Sequence, residues 1–139
     1  MISNRELIDK AAECLNPWQV NGRWMGDVAA ALVTDKGDIY VGVCVDPGAT
    51  LGICAERAAI MQMIADKQYT VKKIVAVWNN NPAKDLYVLP PCGVCREFMK
   101  QVCKDGLDIE VVLGEDETML LRDLLPKHEW PERKITYGG

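Results

Sequence analysis

Two short stretches decide how this chain is read: Cys54-Ala55-Glu56-Arg57 and Pro91-Cys92-Gly93-Val94-Cys95-Arg96. Each stands at the head of a run of helix-forming residues, CAERAAIMQMIAD over 54–66 and CGVCREFMKQVCK over 92–104. Cys92 and Cys95 lie three positions apart and so share one face of a helix start. Free backbone N–H groups and the helix dipole stabilise a thiolate there. Cys54 opens the other helix in the same way. Two helix starts aimed at one point would hold one cation with three thiolates, and zinc favours such donors. Three protein ligands and one open position are the pattern of a catalytic zinc, on which a water's pKa falls to about 7. Glu56, two residues after Cys54, is placed to face that water without binding the metal.

The remaining sequence describes the scaffold. SNRELIDKAAECL (3–15) carries Ser3 and Glu6 in a capping-box pattern and a stripe of Leu7, Ile8, Ala11, Ala12 and Leu15. VAAALVT (28–34) is short and apolar enough for a buried strand, TDKGD turns the chain, and IYVGVCV (39–45) returns as a hairpin partner. DPGATLG (46–52) is a loop. The 54–66 helix has almost no polar face beyond its first turn and reads as buried. VKKIVAVW (71–78) is a strand, and NNNPAKDLYVLPP (79–91) reads as a loop. Cys95, Phe98, Met99, Val102 and Cys103 form a core-facing stripe on the next helix. LDIEVVL (107–113) alternates as a strand, and TMLLRDLLP (118–126) holds a short strand or turn and a short helix. A hairpin followed by alternating strands and helices predicts one mixed sheet sandwiched between helices, in a single domain spanning residues 1–139.

Bulk properties narrow the function classes. With 49% apolar residues the chain is globular. No apolar run approaches the ~20 residues of a membrane span. The polar start, MISNRELIDK, lacks the apolar core of a secretion signal, so a cytoplasmic protein is expected. Six cysteines in such a chain point to metal or redox chemistry rather than disulfides. A net charge of −4 and dispersed basic residues weigh against a nucleic-acid partner, so the expected partner is a small molecule.

The two cysteine stretches resemble the signature of the cytidine deaminase superfamily, in its small branch with three cysteine ligands, which contains cytidine deaminases and blasticidin S deaminase. VAAALVTDKGDIYVGV, CAERAAI, PPCGVCREF and the late RDLLPKHEW extend the similarity over most of the chain. The resemblance implies a three-layer α/β/α sandwich with a mixed five-stranded sheet. It implies one zinc per subunit, held by Cys54, Cys92 and Cys95, and an oligomer, most often a tetramer, with a dimer as the smaller option. It implies hydrolysis at C4 of a cytosine ring. Glu56 takes the water's proton, delivers it to the ring nitrogen and then helps ammonia leave. Arg57 and Arg96 directly follow ligands and are candidates to offset the thiolate charge by hydrogen bonds to sulfur; ordinary surface arginines are the alternative. Ala55 is a further expected substrate contact.

The chain departs from the family where the sugar is held. The family's G-x-N-x-E-N reads Gly42-Val43-Cys44-Val45-Asp46-Pro47 here, with Cys44 for the Asn and Asp46 for the Glu. Gly26-Asp27-Val28 stands where the family carries a Phe, with Trp24 nearby. Asp46 is a candidate hydroxyl ligand, and Trp24 or Trp130 a candidate base-stacking ring. A turn role for Asp46 and core or interface roles for Trp24, Trp78 and Trp130 are the structural alternatives. His128 reads as a surface residue, and Cys14, Cys44 and Cys103 as buried thiols. The expected activity is zinc-dependent deamination of cytidine, deoxycytidine or an analogue such as blasticidin S. The alternatives are deamination of a free base or other heterocycle, and a zinc-stabilised binding protein that would need no Glu56.

Overall fold

Residues 29–33 pair on one side with the strand before the first cysteine stretch and on the other with the strand before the second. This central strand organises the molecule. The computed structural model describes residues 1–80, 85–129 and 134–138. In chain order the elements are α1 (Asn4–Ala12), β1 (Trp18–Val20), β2 (Arg23–Thr34), β3 (Ile39–Val45), α2 (Ala55–Ala65), β4 (Val71–Asn80), β5 (Asp85–Leu89), α3 (Gly93–Val102), β6 (Glu110–Gly114), β7 (Glu117–Leu120) and α4 (Leu121–Leu124). The sheet runs β3-β2-β4-β6-β7, with β1 paired to the start of β2 and β5 to the end of β4. Every pairing is antiparallel except β4 with β6. That parallel step requires a crossover, and α3 lies within it.

Alternation along the strands separates two cores. Ala30, Leu32, Ile74, Ala76 and Val111 face Ala59, Ile60 and Met63 of α2 and Cys95 and Met99 of α3. Their chain neighbours Ala29, Ala31, Val75, Val77 and Val112 face Leu7, Ile8 and Ala11 of α1. The outcome is an α/β protein with a mixed sheet between helical layers. α1 begins as its sequence pattern predicts: the Ser3 hydroxyl accepts a hydrogen bond from the Glu6 amide at 3.1 Å.

The sheet has seven strands rather than the expected five. The five expected ones form its body. β1 was not anticipated, and β5 occupies part of the stretch read as a loop. Its Tyr87 pairs with Trp78 of β4, their rings 5.4 Å apart, so aromatic packing overrides the prolines and asparagines that suggested a loop. α2 is less buried than its composition suggests: Ala55, Glu56, Ala59, Ile60 and Met63 are buried, whereas Met61 is 56% exposed.

Two glycines position the elements that carry the site. A Cβ on Gly42 would lie 2.4 Å from the Ala59 amide nitrogen and 2.8 Å from the Ala55 carbonyl oxygen, so only glycine lets α2 sit this close to β3. Gly26 has φ +75°, and a Cβ there would lie 2.5 Å from the Asn16 carbonyl oxygen. It sits in the irregularity between Met25 and Ala29 where the β2–β3 register shifts. Such a bulge re-aims the side chains around it, here Asp27.

Candidate active site

Cys54 and Cys92 are the N-cap residues of α2 and α3. Both have extended backbone, so each side chain projects at the head of its helix among amides that lack intrahelical partners. The Cys92 sulfur accepts a hydrogen bond from the Cys95 amide at 3.4 Å. The Cys54 and Cys92 sulfurs are 3.5 Å apart, and the sulfurs of Cys54, Cys92 and Cys95 all lie within 4.8 Å of one another. Residues 38 positions apart in the chain thus converge on one point. The donor set fits zinc: three soft sulfur ligands grouped tightly enough to share one ion, with Cys54 and Cys92 also lining an open cavity.

That cavity has a volume of about 360 Å³. Cys54, Glu56 and Cys92 line one part of it, together with Ala55; Cys44 and Asp46 line it too, and Val28, Ile53, Ala76, Leu89 and Pro90 supply apolar wall. Glu56 is only 5% exposed. Burial raises its pKa above the usual carboxylate value, against the opposing pull of its own backbone amide and of the Arg57 charge. A buried carboxylate with raised proton affinity, beside three thiols and open to a cavity, has the character of a proton carrier.

The two arginines divide. Arg57 donates to the Cys54 sulfur at 3.9 Å and to the Gly52 carbonyl at 3.3 Å. Arg96 donates to the carbonyls of Pro91 at 2.8 Å and Leu124 at 2.9 Å. It therefore braces the backbone just before Cys92 and ties it to the end of α4, rather than reaching sulfur. Among the thiols, burial raises Cys54 and, more strongly, Cys95 above the ordinary value, with the Glu56 charge adding to the effect on Cys95. Burial also acts against ionisation of Cys92, but the Cys95 amide and the neighbouring thiols outweigh it and bring this thiol below the ordinary value.

A family model described as the cytidine and deoxycytidylate deaminase zinc-binding region matches residues 5–108. The chain belongs to that family. It is 29% identical over 127 residues to the blasticidin-S deaminase of Bacillus cereus, covering 87% of this chain and 88% of that one. It is 30% identical over 105 residues to the cytidine deaminase of Halalkalibacterium halodurans, covering 71% and 74%. The crystal structure of cytidine deaminase from Burkholderia pseudomallei superposes with a TM-score of 0.69 at 27% identity, over 91% of this chain and 98% of that one. The enzyme class is therefore that of the hydrolytic deaminases.

The other expected contacts separate in space. Ala55 and Asp46 line the main cavity. Trp24 does not; it lines a smaller cavity of about 180 Å³ with Pro17, Asp27, Trp78 and Asn79. Trp130 lies outside the described residues. His128 is not a surface residue, since its side chain is only 12% exposed. Asp27 was missed as a site residue, although the departure at Gly26-Asp27-Val28 marked the position. Its carboxylate accepts a hydrogen bond from the Cys44 thiol at 3.0 Å. No helix among the described residues is long and apolar enough to cross a membrane.

Proposed function

We propose that the whole chain is one zinc-dependent deaminase domain acting on a cytosine nucleoside or an analogue of one. The observation that carries this reading is the buried Glu56 carboxylate sharing a 360 Å³ cavity with Cys54 and Cys92. Zinc held by Cys54, Cys92 and Cys95 supplies a Lewis acid that makes water acidic enough to attack at neutral pH.

Glu56 handles the protons. It accepts one from the attacking water, delivers it to the ring nitrogen beside C4, and carries the second to the exocyclic amine as the C–N bond breaks. One water enters, one ammonia leaves, and the amine carbon becomes a carbonyl. The raised proton affinity of Glu56 suits a group that must hold a proton between two steps. Arg57 offsets the negative charge of the thiolate cluster through Cys54. Val28, Ile53, Ala76, Leu89 and Pro90 give a flat ring an apolar slot, which excludes water and orients C4 toward Glu56. Ala55 and Asp46 contact the substrate within the same cavity.

An acidic chain with dispersed basic residues supports a free nucleoside in the cytoplasm as substrate, not a polynucleotide. The exposed Met61 on α2 and Val94 beside the ligand Cys95 support a homo-oligomer, a tetramer as in the family pattern, with one zinc per subunit. The test is ammonia release from zinc-loaded protein with cytidine, deoxycytidine, cytosine, blasticidin S, adenosine and guanine. Zinc-dependent turnover of at least one cytosine nucleoside or of blasticidin S is expected. Silence across the panel with zinc bound would overturn the reading in favour of a non-catalytic zinc protein.

A further inference from the structure

Away from the three thiols, the main cavity is lined by an acidic group of unusual make-up. The Cys44 sulfur and the carboxylates of Asp27 and Asp46 lie within 4.8 Å of one another. The Cys44 thiol donates to Asp27, and burial together with that bond pushes it up to about 11, so it stays protonated and neutral. The two aspartates are close enough to repel: Asp46 has its proton affinity raised by burial and then by the Asp27 charge. Neither carboxylate forms an ion pair among the described residues. The nearest candidate cation, Arg23, has its guanidinium against Gly48 instead.

Two further observations give this cluster a ligand. Glu56, 5% exposed, lines the same cavity as Cys44 and Asp46, and the only hydrogen-bond donor acting on its carboxylate is its own backbone amide. Asp27 also lines the adjoining 180 Å³ cavity, whose walls include the rings of Trp24 and Trp78. Carboxylates beside aromatic faces are a setting for an organic cation. A neutral thiol beside two carboxylates is a poorer donor set for a divalent metal, which takes sulfur as thiolate.

We propose that the group formed by Asp27, Cys44 and Asp46 binds a protonated amine or guanidinium carried on the ring substituent of the substrate, which makes this a deaminase of cationic cytosine nucleosides. This deepens the proposed function and rests on it. The ring lies toward Glu56 while its substituent reaches Asp46, which is exposed and meets solvent, and then Asp27 and the tryptophans. A substrate phosphate would meet two uncompensated carboxylates and be rejected.

The test compares kcat/KM for cytidine, its 5′-monophosphate, and the 2′-, 3′- and 5′-amino-deoxy analogues of cytidine. At least one amine is expected to exceed cytidine by about tenfold or more at low salt, with the monophosphate poorest and the preference shrinking as salt is raised. Asp46→Asn and Asp27→Asn are each expected to remove most of that preference. Asp46 is exposed, so its variant carries little folding risk, and Asn at 27 keeps an acceptor for the Cys44 thiol. Cytidine turned over as well as every amine, or a preference that survives both substitutions, would overturn the proposal while leaving the deaminase reading intact. A second metal equivalent per chain, lost in Asp27→Asn, would reassign the cluster to a metal. No turnover of any compound would sink the deaminase reading and this one with it.

Discussion

The thiol end of the cavity and its acidic end are built by different means. At the thiol end, Cys54, Glu56, Cys92 and Cys95 all sit at or within the first turns of two helices. Their geometry follows from local capping and needs little from the surrounding fold beyond bringing two helix starts together. At the acidic end, Asp27 lies in the register shift of β2, Cys44 near the end of β3, and Asp46 in the loop after it. Their meeting depends on strand pairing. One end is set by short-range geometry and serves the chemistry; the other is set by tertiary contacts and can be rebuilt for a new substituent without touching the first.

Substitutions can break this division. The largest effect is expected from Glu56→Gln, which removes the proton carrier but preserves shape. Turnover should fall by about 10²–10⁴ or more while zinc content stays at one per chain. A variant retaining wild-type rate with full zinc would show that the thiol end works without this acid–base group.

Gly42→Ala tests whether the two ends share a fixed spacing. The new methyl would meet α2 backbone at 2.4 Å, so α2 must shift away from β3, carrying Glu56 and Cys54 relative to Cys44. Overpacking of this kind costs about 1–3 kcal/mol. A lowered melting temperature together with reduced kcat is expected. Unchanged stability and rate would mean that the cavity tolerates movement between its ends.

The smallest effect concerns pH. Cys44 and Cys103 have thiols pushed up to about 11 from an ordinary 9.0, Cys103 by burial and Cys44 by burial first and then by Asp27. The folded state holds these protons more tightly than the unfolded chain. Stability from this source is complete below about pH 9 and declines as pH rises toward 11, by roughly 1–3 kcal/mol per thiol. Melting temperature followed from pH 8 to 11 should fall in the wild type, and Cys103→Ala should flatten part of that slope. A parallel slope in the variant would place the loss elsewhere.

The same division explains what could be read in the sequence. Ser3, Cys54 and Cys92 were legible as helix starts because a cap acts over three or four residues. The alternation in 28–34 and 71–78 was legible because a strand's two faces repeat every second residue. β1 was not visible, since three residues carry no periodicity. β5 was hidden by the asparagines and prolines around it and is held by its partner β4. The sequence placed Asp46 correctly near the site but suggested Trp24 for the same role, and Trp24 lines the neighbouring cavity instead. The difference lies in the β2–β3 irregularity at Gly26, whose tight approach to the Asn16 carbonyl joins two segments that no local pattern links. Asp27 could be recognised as a departure from the family, but its pairing with Cys44 required the strands to be in register.

The span between the Cys54 and Cys92 sulfurs has a consequence for how the chain behaves when stressed. An ion joining them would close a loop of 38 residues, which contains most of α2, all of β4 and the hairpin to β5. A cross-link of that length withholds about 4 kcal/mol of chain entropy from the unfolded ensemble if it holds as firmly as a covalent bridge. The metal would then act as a reversible buckle as well as a reagent. Chelation would release the middle third of the polypeptide first, while the α1 layer, which lies on the opposite face of the sheet, would lose its footing only when the sheet itself came apart.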